Sequence, residues 1–409
     1  MARKTKGDGS LFQRANGLWV GVVELPTHDG RRRQKRVSSM DRNKCIDKLK
    51  KLRRDVEDGY LPITASTTVE KWLDRWMNEI HHTQIRPTTR VSYETTIRLY
   101  INPAIGNKRL DKLTPEHVRQ MHRFAAETSD QAAWKSHVVL QAALKDAVRE
   151  GLLRRTVTDA VHKPRFLSTP RTPLTTEQAK HLLRCSINNG DRMATRWAAA
   201  LLVGGRQGEM IGLTWDRVDL DRGLIDLSWQ LQQLPKQHGC GPKTGQGWPC
   251  GKQRAHACPK GGWHQLPADF EYRNLVGSVV LTRPKTRAGW RLVPLPEPLW
   301  LLLTDPALRE GPNPHNLVWH HTDGRPLRPR EDYMNWQAAL KAAGLEPAPL
   351  HVARHTTATL LAEAGVSEQV RMEILGQSAL SAHRGYVHMD VAHRREALAA
   401  LNDLLELEG

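Results

Sequence analysis

Leu350-His351-Val352-Ala353-Arg354-His355, continued by Leu375-Gly376-Gln377 and Gly385-Tyr386-Val387-His388, is the stretch on which the reading of this chain turns. Pro347 and Pro349 precede it, so a helix is predicted to start just after them, with His351 and Arg354 three apart on one face. A helix start directs free backbone N–H groups and a positive dipole end outward, which suits an anion. Tyr386 follows in a segment too polar for a core. Taken singly, a His/Arg pair of this spacing is an ordinary solvated helix face, and a lone Tyr is amphipathic packing. Together, a guanidinium, an imidazole and a phenol near a helix start suggest chemistry on a phosphate.

Two upstream stretches sharpen that suggestion. Gly204-Gly205-Arg206-Gln207-Gly208-Glu209 places an arginine between glycines where a helical pattern begins. Arg283-Pro284-Lys285-Thr286-Arg287 lies between Val279-Val280-Leu281 and Arg291-Leu292-Val293, which predicts a β-hairpin with Lys285 in its turn. The three stretches resemble the tyrosine recombinase (phage integrase) family. Its pattern is an Arg in a Gly-rich R-x-G-E motif, a hairpin Lys, an H-x-x-R helix, a Leu-Gly-His and a Tyr. Arg206, Lys285, His351, Arg354 and Tyr386 fall on those positions in order. Gln377 stands where the family has the His of Leu-Gly-His. The resemblance is close from about Thr175 onward and looser before it.

Length and charge fit a multidomain DNA-binding chain. The 409 residues suggest two or three domains. Lys and Arg number 61 against 43 Asp and Glu, giving a net charge of +18 and a pI near 9.9. That excess points to a polyanion, with DNA favoured over an acidic membrane surface. No apolar run is long enough to span a bilayer, and the charged start Met1-Ala2-Arg3-Lys4 has no apolar stretch behind it. Five cysteines are too few for a disulfide framework, so a cytoplasmic location is expected.

In chain order, the fold expected is mixed α/β and mainly α, in three domains. Residues 1–60 carry Asn16-Gly17 and Asp29-Gly30 between short β-like runs, hence a three-stranded antiparallel sheet, then a helix from Arg42 to Glu57. This domain holds 16 basic and 8 acidic side chains. Its run Arg31, Arg32, Arg33, Gln34, Lys35, Arg36 suits a DNA-contacting ribbon, although edge charges also serve to block aggregation. It resembles the arm-site-binding domains of some phage integrases. Residues 64–163 read as a helical bundle that binds core-type DNA, with Trp72, Trp76 and Ile80 assigned to its core. Pro164, Pro170 and Pro173 mark a linker. Residues 174–409 form the expected catalytic domain, α-rich with a small antiparallel sheet, opening on a helix N-cap at Leu174-Thr175-Thr176-Glu177. Leu398, Leu401, Leu404 and Leu405 give a final amphipathic helix that would cap its own domain or dock on a neighbour.

An insertion at about 232–274 interrupts this last domain. Cys240, Cys250 and Cys258 fall in it with several histidines, in a loop too polar to fold unaided. A structural zinc on Cys240, Cys250, Cys258 and a histidine, with His264 as the candidate, is one reading. A long surface loop with incidental thiols is the other, since no C-x-x-C pair is present.

The resemblance implies a site-specific DNA recombinase that integrates or excises a mobile element through a 3′-phosphotyrosine intermediate. Arg206 and Arg354 would fork onto the non-bridging phosphate oxygens, as a planar guanidinium can and a lysine cannot. His351 would add a donor or assist the Tyr386 proton, and Lys285 would protonate the departing 5′ oxygen. Gln377 would keep a hydrogen-bond donor without acid–base capacity; His383 is the alternative source. Glu209 would brace neighbouring basic side chains. No catalytic cofactor is expected, in keeping with the lack of a P-loop or Mg²⁺-type carboxylate cluster. Core and arm sites on double-stranded DNA, a homotetramer and an accessory excision or DNA-bending protein are the partners implied. Two alternatives use the same residues differently: type IB topoisomerase-like strand passage, and a non-catalytic DNA-binding regulator suggested by Gln377.

Overall fold

Asn16-Gly17 produces the turn its sequence predicts: Gly17 takes a positive φ of 79° where β1 (Ser10–Gln13) turns into β2 (Trp19–Leu25). The computed structural model describes residues 10–25, 33–57, 67–81, 84–167, 172–245, 247–263, 266–284, 289–376 and 394–399. Asp29-Gly30 lies outside them. The chain divides into two units, Met1–Ser168 and Thr169–Gly409.

In the first unit, β3 (Arg33–Ser39) pairs antiparallel with β2, giving the order β1-β2-β3. The helix Arg42–Glu57 lies on this sheet through Leu49 and Leu52, which meet Val23. The contact is close enough that a Cβ on Gly21 would come within 2.9 Å of Leu49. The helical part that follows is built on Trp72, Leu73, Trp76, Ile101, Ile105, Leu140 and Leu144, all buried. Both indoles are also tied by hydrogen bonds: Trp72 donates to the Ala143 carbonyl (3.0 Å) and Trp76 to Asp146 (2.8 Å). The helices Pro115–Ala126 and Asp130–Arg149 start at Thr114 and Ser129, whose hydroxyls accept from the first-turn amides.

The second unit opens with the helix Thr176–Asn188, capped by Thr175 and Gln178 in a reciprocal capping box. Ala194–Leu202 is buried at every position and forms the hub of a core that includes Trp197 and Trp336, edge to face at 5.4 Å. Helices Pro329–Ala342, His351–Glu363 and Glu368–Leu375 complete the α-rich part. Helical residues 394–399 bring Leu398 into the same core. Leu401, Leu404 and Leu405 lie outside the described residues.

The strands correct one expectation. Strands β4 (Val218–Asp219), β5 (Leu224–Asp226) and β11 (Leu292–Pro294) make one sheet in the order β11-β5-β4. Strands β6 (Gln230–Gln233), β9 (Tyr272–Val276) and β10 (Val279–Thr282) make another in the order β6-β10-β9. β10 and β11 therefore do not form a hairpin with each other. Both edges of β10 are taken by β6 and β9, while β11 pairs with β5. The Leu227 amide donates to the Arg291 carbonyl (3.0 Å), so β5–β6 and β10–β11 run on as one long ribbon. Lys285 belongs to the connection that leaves one side of this ribbon after Pro284 and rejoins it at Gly289; residues 285–288 themselves lie outside the described residues. The ribbon's far end carries the insertion, necked by the pair β7 (Lys236–Gln237) and β8 (Gly262–Trp263).

Candidate active site

Gly204-Gly205-Arg206 forms a tight turn into the short helix Gln207–Ile211. Gly204 takes φ 62°, and a Cβ there would lie 2.7 Å from Leu375 and 2.8 Å from the Thr357 hydroxyl. Glycine thus lets the turn press against two later helices. The Gly204 carbonyl in turn accepts from the Arg354 guanidinium (2.9 Å), which also donates to the Leu375 carbonyl. Arg206 donates to the next carbonyl, Gly376, at 2.7 Å. The two arginines, far apart in sequence, thus meet at the residues that lead into Gln377.

Glu209 holds this arrangement. Its carboxylate accepts from the Arg206 amide (2.9 Å), the Arg206 guanidinium (2.7 Å) and the Arg291 guanidinium (2.9 and 3.3 Å), and it is wholly buried. Burial is the largest single influence on it and would raise its pKa. Arg291 and Arg206 outweigh that, and the carboxyl is held below the usual range. Arg291 also reaches the Ile374 carbonyl at 2.7 Å, so a third arginine braces the same turn. Sequence reading passed over Arg291 as part of a strand; the available signal was a charge at an inward position of the alternating run Arg291-Leu292-Val293.

Arg354 is 5% exposed. Burial first, then the nearby Arg206 and Arg291, bring its pKa down to about 9. It is still protonated at neutral pH, and the oxygens it donates to at Gly204 and Leu375 are carbonyls rather than a carboxylate. Three guanidinium groups around one carboxylate leave this pocket strongly in want of an anion. Arg206 keeps 38% of its side chain exposed to receive one. His351 is exposed at the start of its helix, with its ring edge-on to His355 at 4.8 Å. His351 and Arg354 line a cavity of about 250 Å³ together with Gly205, Gln207 and Tyr333. Lys285, Gln377, His383 and Tyr386 lie outside the described residues.

The insertion brings Cys240, Cys250, Cys258 and His238 together, with one ligand-type atom of each within 4.8 Å of the others. His264, the histidine expected there, lies outside the described residues. His238 Nδ1 is 3.4 Å from Cys250 Sγ and 3.8 Å from Cys240 Sγ. With Zn–S of about 2.3 Å and Zn–N of about 2.0 Å, the edges of a tetrahedral site measure about 3.6 Å, so the donor set fits zinc. The His238 ring is stacked on Trp248 at 4.0 Å, and its Nε2 is buried without a hydrogen-bond partner. Burial would raise the Cys258 thiol, but the Lys260 amide and the neighbouring cluster outweigh it and bring it to about 6, favouring the thiolate. Sequence reading left the histidine open among several and took His264 as the candidate; the histidine grouped with the cysteines is His238.

Among the basic residues singled out near the amino terminus, Arg31 and Arg32 lie outside the described residues. Arg33 pairs with Leu25 at the end of β3. Lys35 stands opposite Val23 and so shares the half-buried helix face of the sheet, whereas Arg36, opposite Val22, is exposed on the other face. Lys35 and Arg36 therefore lie on opposite faces of the sheet.

Comparison with known proteins places these features. Residues 68–124 match the phage integrase N-terminal SAM-like domain, and residues 270–393 match the phage integrase family. An integrase from Saccharopolyspora erythraea is 28% identical over 98% of this chain and 97% of its own length. Among solved structures, the Tn1549 transposon integrase in complex with transposon right-end DNA superposes with a TM-score of 0.58 at 18% identity, over 84% of this chain and all of that one. A lambda integrase tetramer bound to a Holliday junction gives 0.54 at 16% identity, over 94% of this chain and 99% of that one. Two phage integrase regions are thus matched in order, and the chain is similar end to end to an integrase, in the tyrosine recombinase (phage integrase) pattern.

Proposed function

We propose that this chain is a site-specific DNA recombinase that integrates or excises a mobile element through a covalent bond between Tyr386 and a DNA 3′ phosphate. The observation that carries this reading is the meeting of Arg206 and Arg354 at the Leu375 and Gly376 carbonyls, in a pocket whose cations exceed its carboxylates. A scissile phosphodiester supplies the missing anion, and each guanidinium can fork onto its non-bridging oxygens as charge builds there.

The chemistry then follows. The Tyr386 oxygen attacks phosphorus, giving its proton to His351 or to solvent, and a new O–P bond forms. The P–O5′ bond breaks, and Lys285 protonates the departing 5′ oxygen. Gln377 donates to a phosphate oxygen through its amide. The phosphotyrosine keeps the energy of the broken bond, so attack by another strand's 5′ hydroxyl reverses the step without ATP or a catalytic metal. Residues 1–60 would read arm sites, 64–163 would embrace the core duplex and 174–409 would cut it. Four copies on paired DNA sites in the cytoplasm, with an accessory DNA-bending or excision protein, complete the reading. A structural zinc held by Cys240, Cys250, Cys258 and His238 Nδ1 belongs to it as well.

The test is covalent trapping on a nicked core duplex from which the cleaved strand end diffuses away. Wild-type protein should accumulate an adduct that Tyr386→Phe does not form, while both bind the duplex equally. An adduct at normal levels in the variant would place the nucleophile elsewhere. Relaxation of supercoils without joining of two sites would favour topoisomerase-like action instead.

A further inference from the structure

Strand cleavage leaves the insertion without a task. We infer that it is a second DNA-contacting surface of the catalytic unit, a metal-closed basic finger that grips duplex backbone beside the cleavage site; this rests on the recombinase and zinc readings above.

From Leu227 to Ala268 the chain has no Asp or Glu at all, yet it carries Lys236, Lys243, Lys252, Arg254 and Lys260. With 43 acidic residues in 409, a stretch of that length would ordinarily hold about four. Lys236 is folded over the Trp263 ring at the neck (4.6 Å). The other four are exposed. Between the neck strands, Cys258 is the one buried apolar side chain among the described residues, so no hydrophobic core holds the finger. A small, cationic, coreless segment does not stay folded unaided, and a four-coordinate ion supplies the cross-link it lacks. A staple needed only to close a loop would not call for a surface stripped of carboxylates. A polyanion does.

Position decides which polyanion. The finger grows from the far end of the ribbon whose side connection carries Lys285. β10, four residues long, separates the neck from Pro284. At about 3.3 Å per residue that is on the order of 13 Å, or about four base pairs of duplex. DNA held by Arg206 and Arg354 would therefore continue toward the finger, and its flanking phosphates match the four free-standing cations. An acidic surface on a second copy of this chain is the competing occupant.

The experiment compares full-length protein with the combined variant Lys243→Gln, Lys252→Gln, Arg254→Gln, Lys260→Gln on a core duplex extending a full turn beyond the cleavage point, across 50–200 mM salt. The log–log salt slope should become shallower by up to about 3.6, at about 0.9 for each phosphate contact removed. Zinc by elemental analysis and the thermal unfolding midpoint should not change. An unchanged slope with zinc retained overturns the inference, and lost self-association with an unchanged slope gives the surface to a second copy. Wild-type protein purified without chelator and containing no zinc would remove the staple, and adduct trapping through Tyr386 reports separately on the recombinase reading.

Discussion

Glu209 shows how one buried residue governs the candidate site. It faces Arg206 and Arg291 at once, so its charge sets the position of the first and the cost of burying the second. Glu209→Gln should destabilise the chain by about 3 kcal/mol, because it leaves the guanidinium of Arg291 buried without its counter-ion. The pH dependence carries the signature. A carboxyl whose folded pKa is lowered contributes stability that is present above its unfolded pKa, about 4.3, and is lost as pH falls through the folded value. Denaturant titrations between pH 2.5 and 6 should therefore show a steeper acid loss in wild type than in the variant. Equal slopes would mean that Glu209 is not held ionised by its arginines. Arg354, by contrast, has a lowered cation pKa, so its burial costs stability at neutral pH and a bound phosphate would relieve that cost.

At the scale of elements, the Gly204 turn is the joint between the Arg206 helix and the helices His351–Glu363 and Glu368–Leu375. Gly204→Ala forces a side chain into a positive-φ position and into contact with Leu375 and Thr357. Backbone strain of about 1 kcal/mol adds to overpacking of about 1–3 kcal/mol. Gly190→Ala separates the two, since Gly190 has a φ of 60° with nothing within 4 Å. Thermal unfolding should show a clearly larger loss for Gly204→Ala, together with slower DNA cleavage as Arg206 shifts. Matching losses would remove the packing argument. The ribbon makes the complementary point: local alternation identified strands on both sides of Lys285, but not that each would pair with a different partner.

For the whole molecule, the amino-terminal sheet and its helix carry a basic excess of eight charges. Removing the residues before Thr64 should weaken binding to arm-type sites and flatten the salt slope by about 0.9 for each lost phosphate contact. Binding to a core duplex alone should change little. Arg36 is the exposed cation on the described face of β3, while Lys35 turns toward the helix. An unchanged slope on arm-site DNA would make this domain a solubilising appendage.

What the sequence determined by itself is what local physics controls. Thr175, Ser129 and the Pro347/Pro349 pair mark helix starts because caps and proline act within one turn. Arg206, His351 and Arg354 were legible because their neighbours in the chain, glycines and a helix start, already carry the chemistry. Only the tertiary structure decided which distant groups meet. Gly204, Leu375 and Arg354 converge through packing of helices 150 residues apart in the chain. Arg291 becomes a brace only once β11 pairs with β5, and His238 joins the cysteines only once the β7–β8 neck closes. Those pairings depend on loop closure and on competition among strand edges, and neither is encoded within any short window of residues.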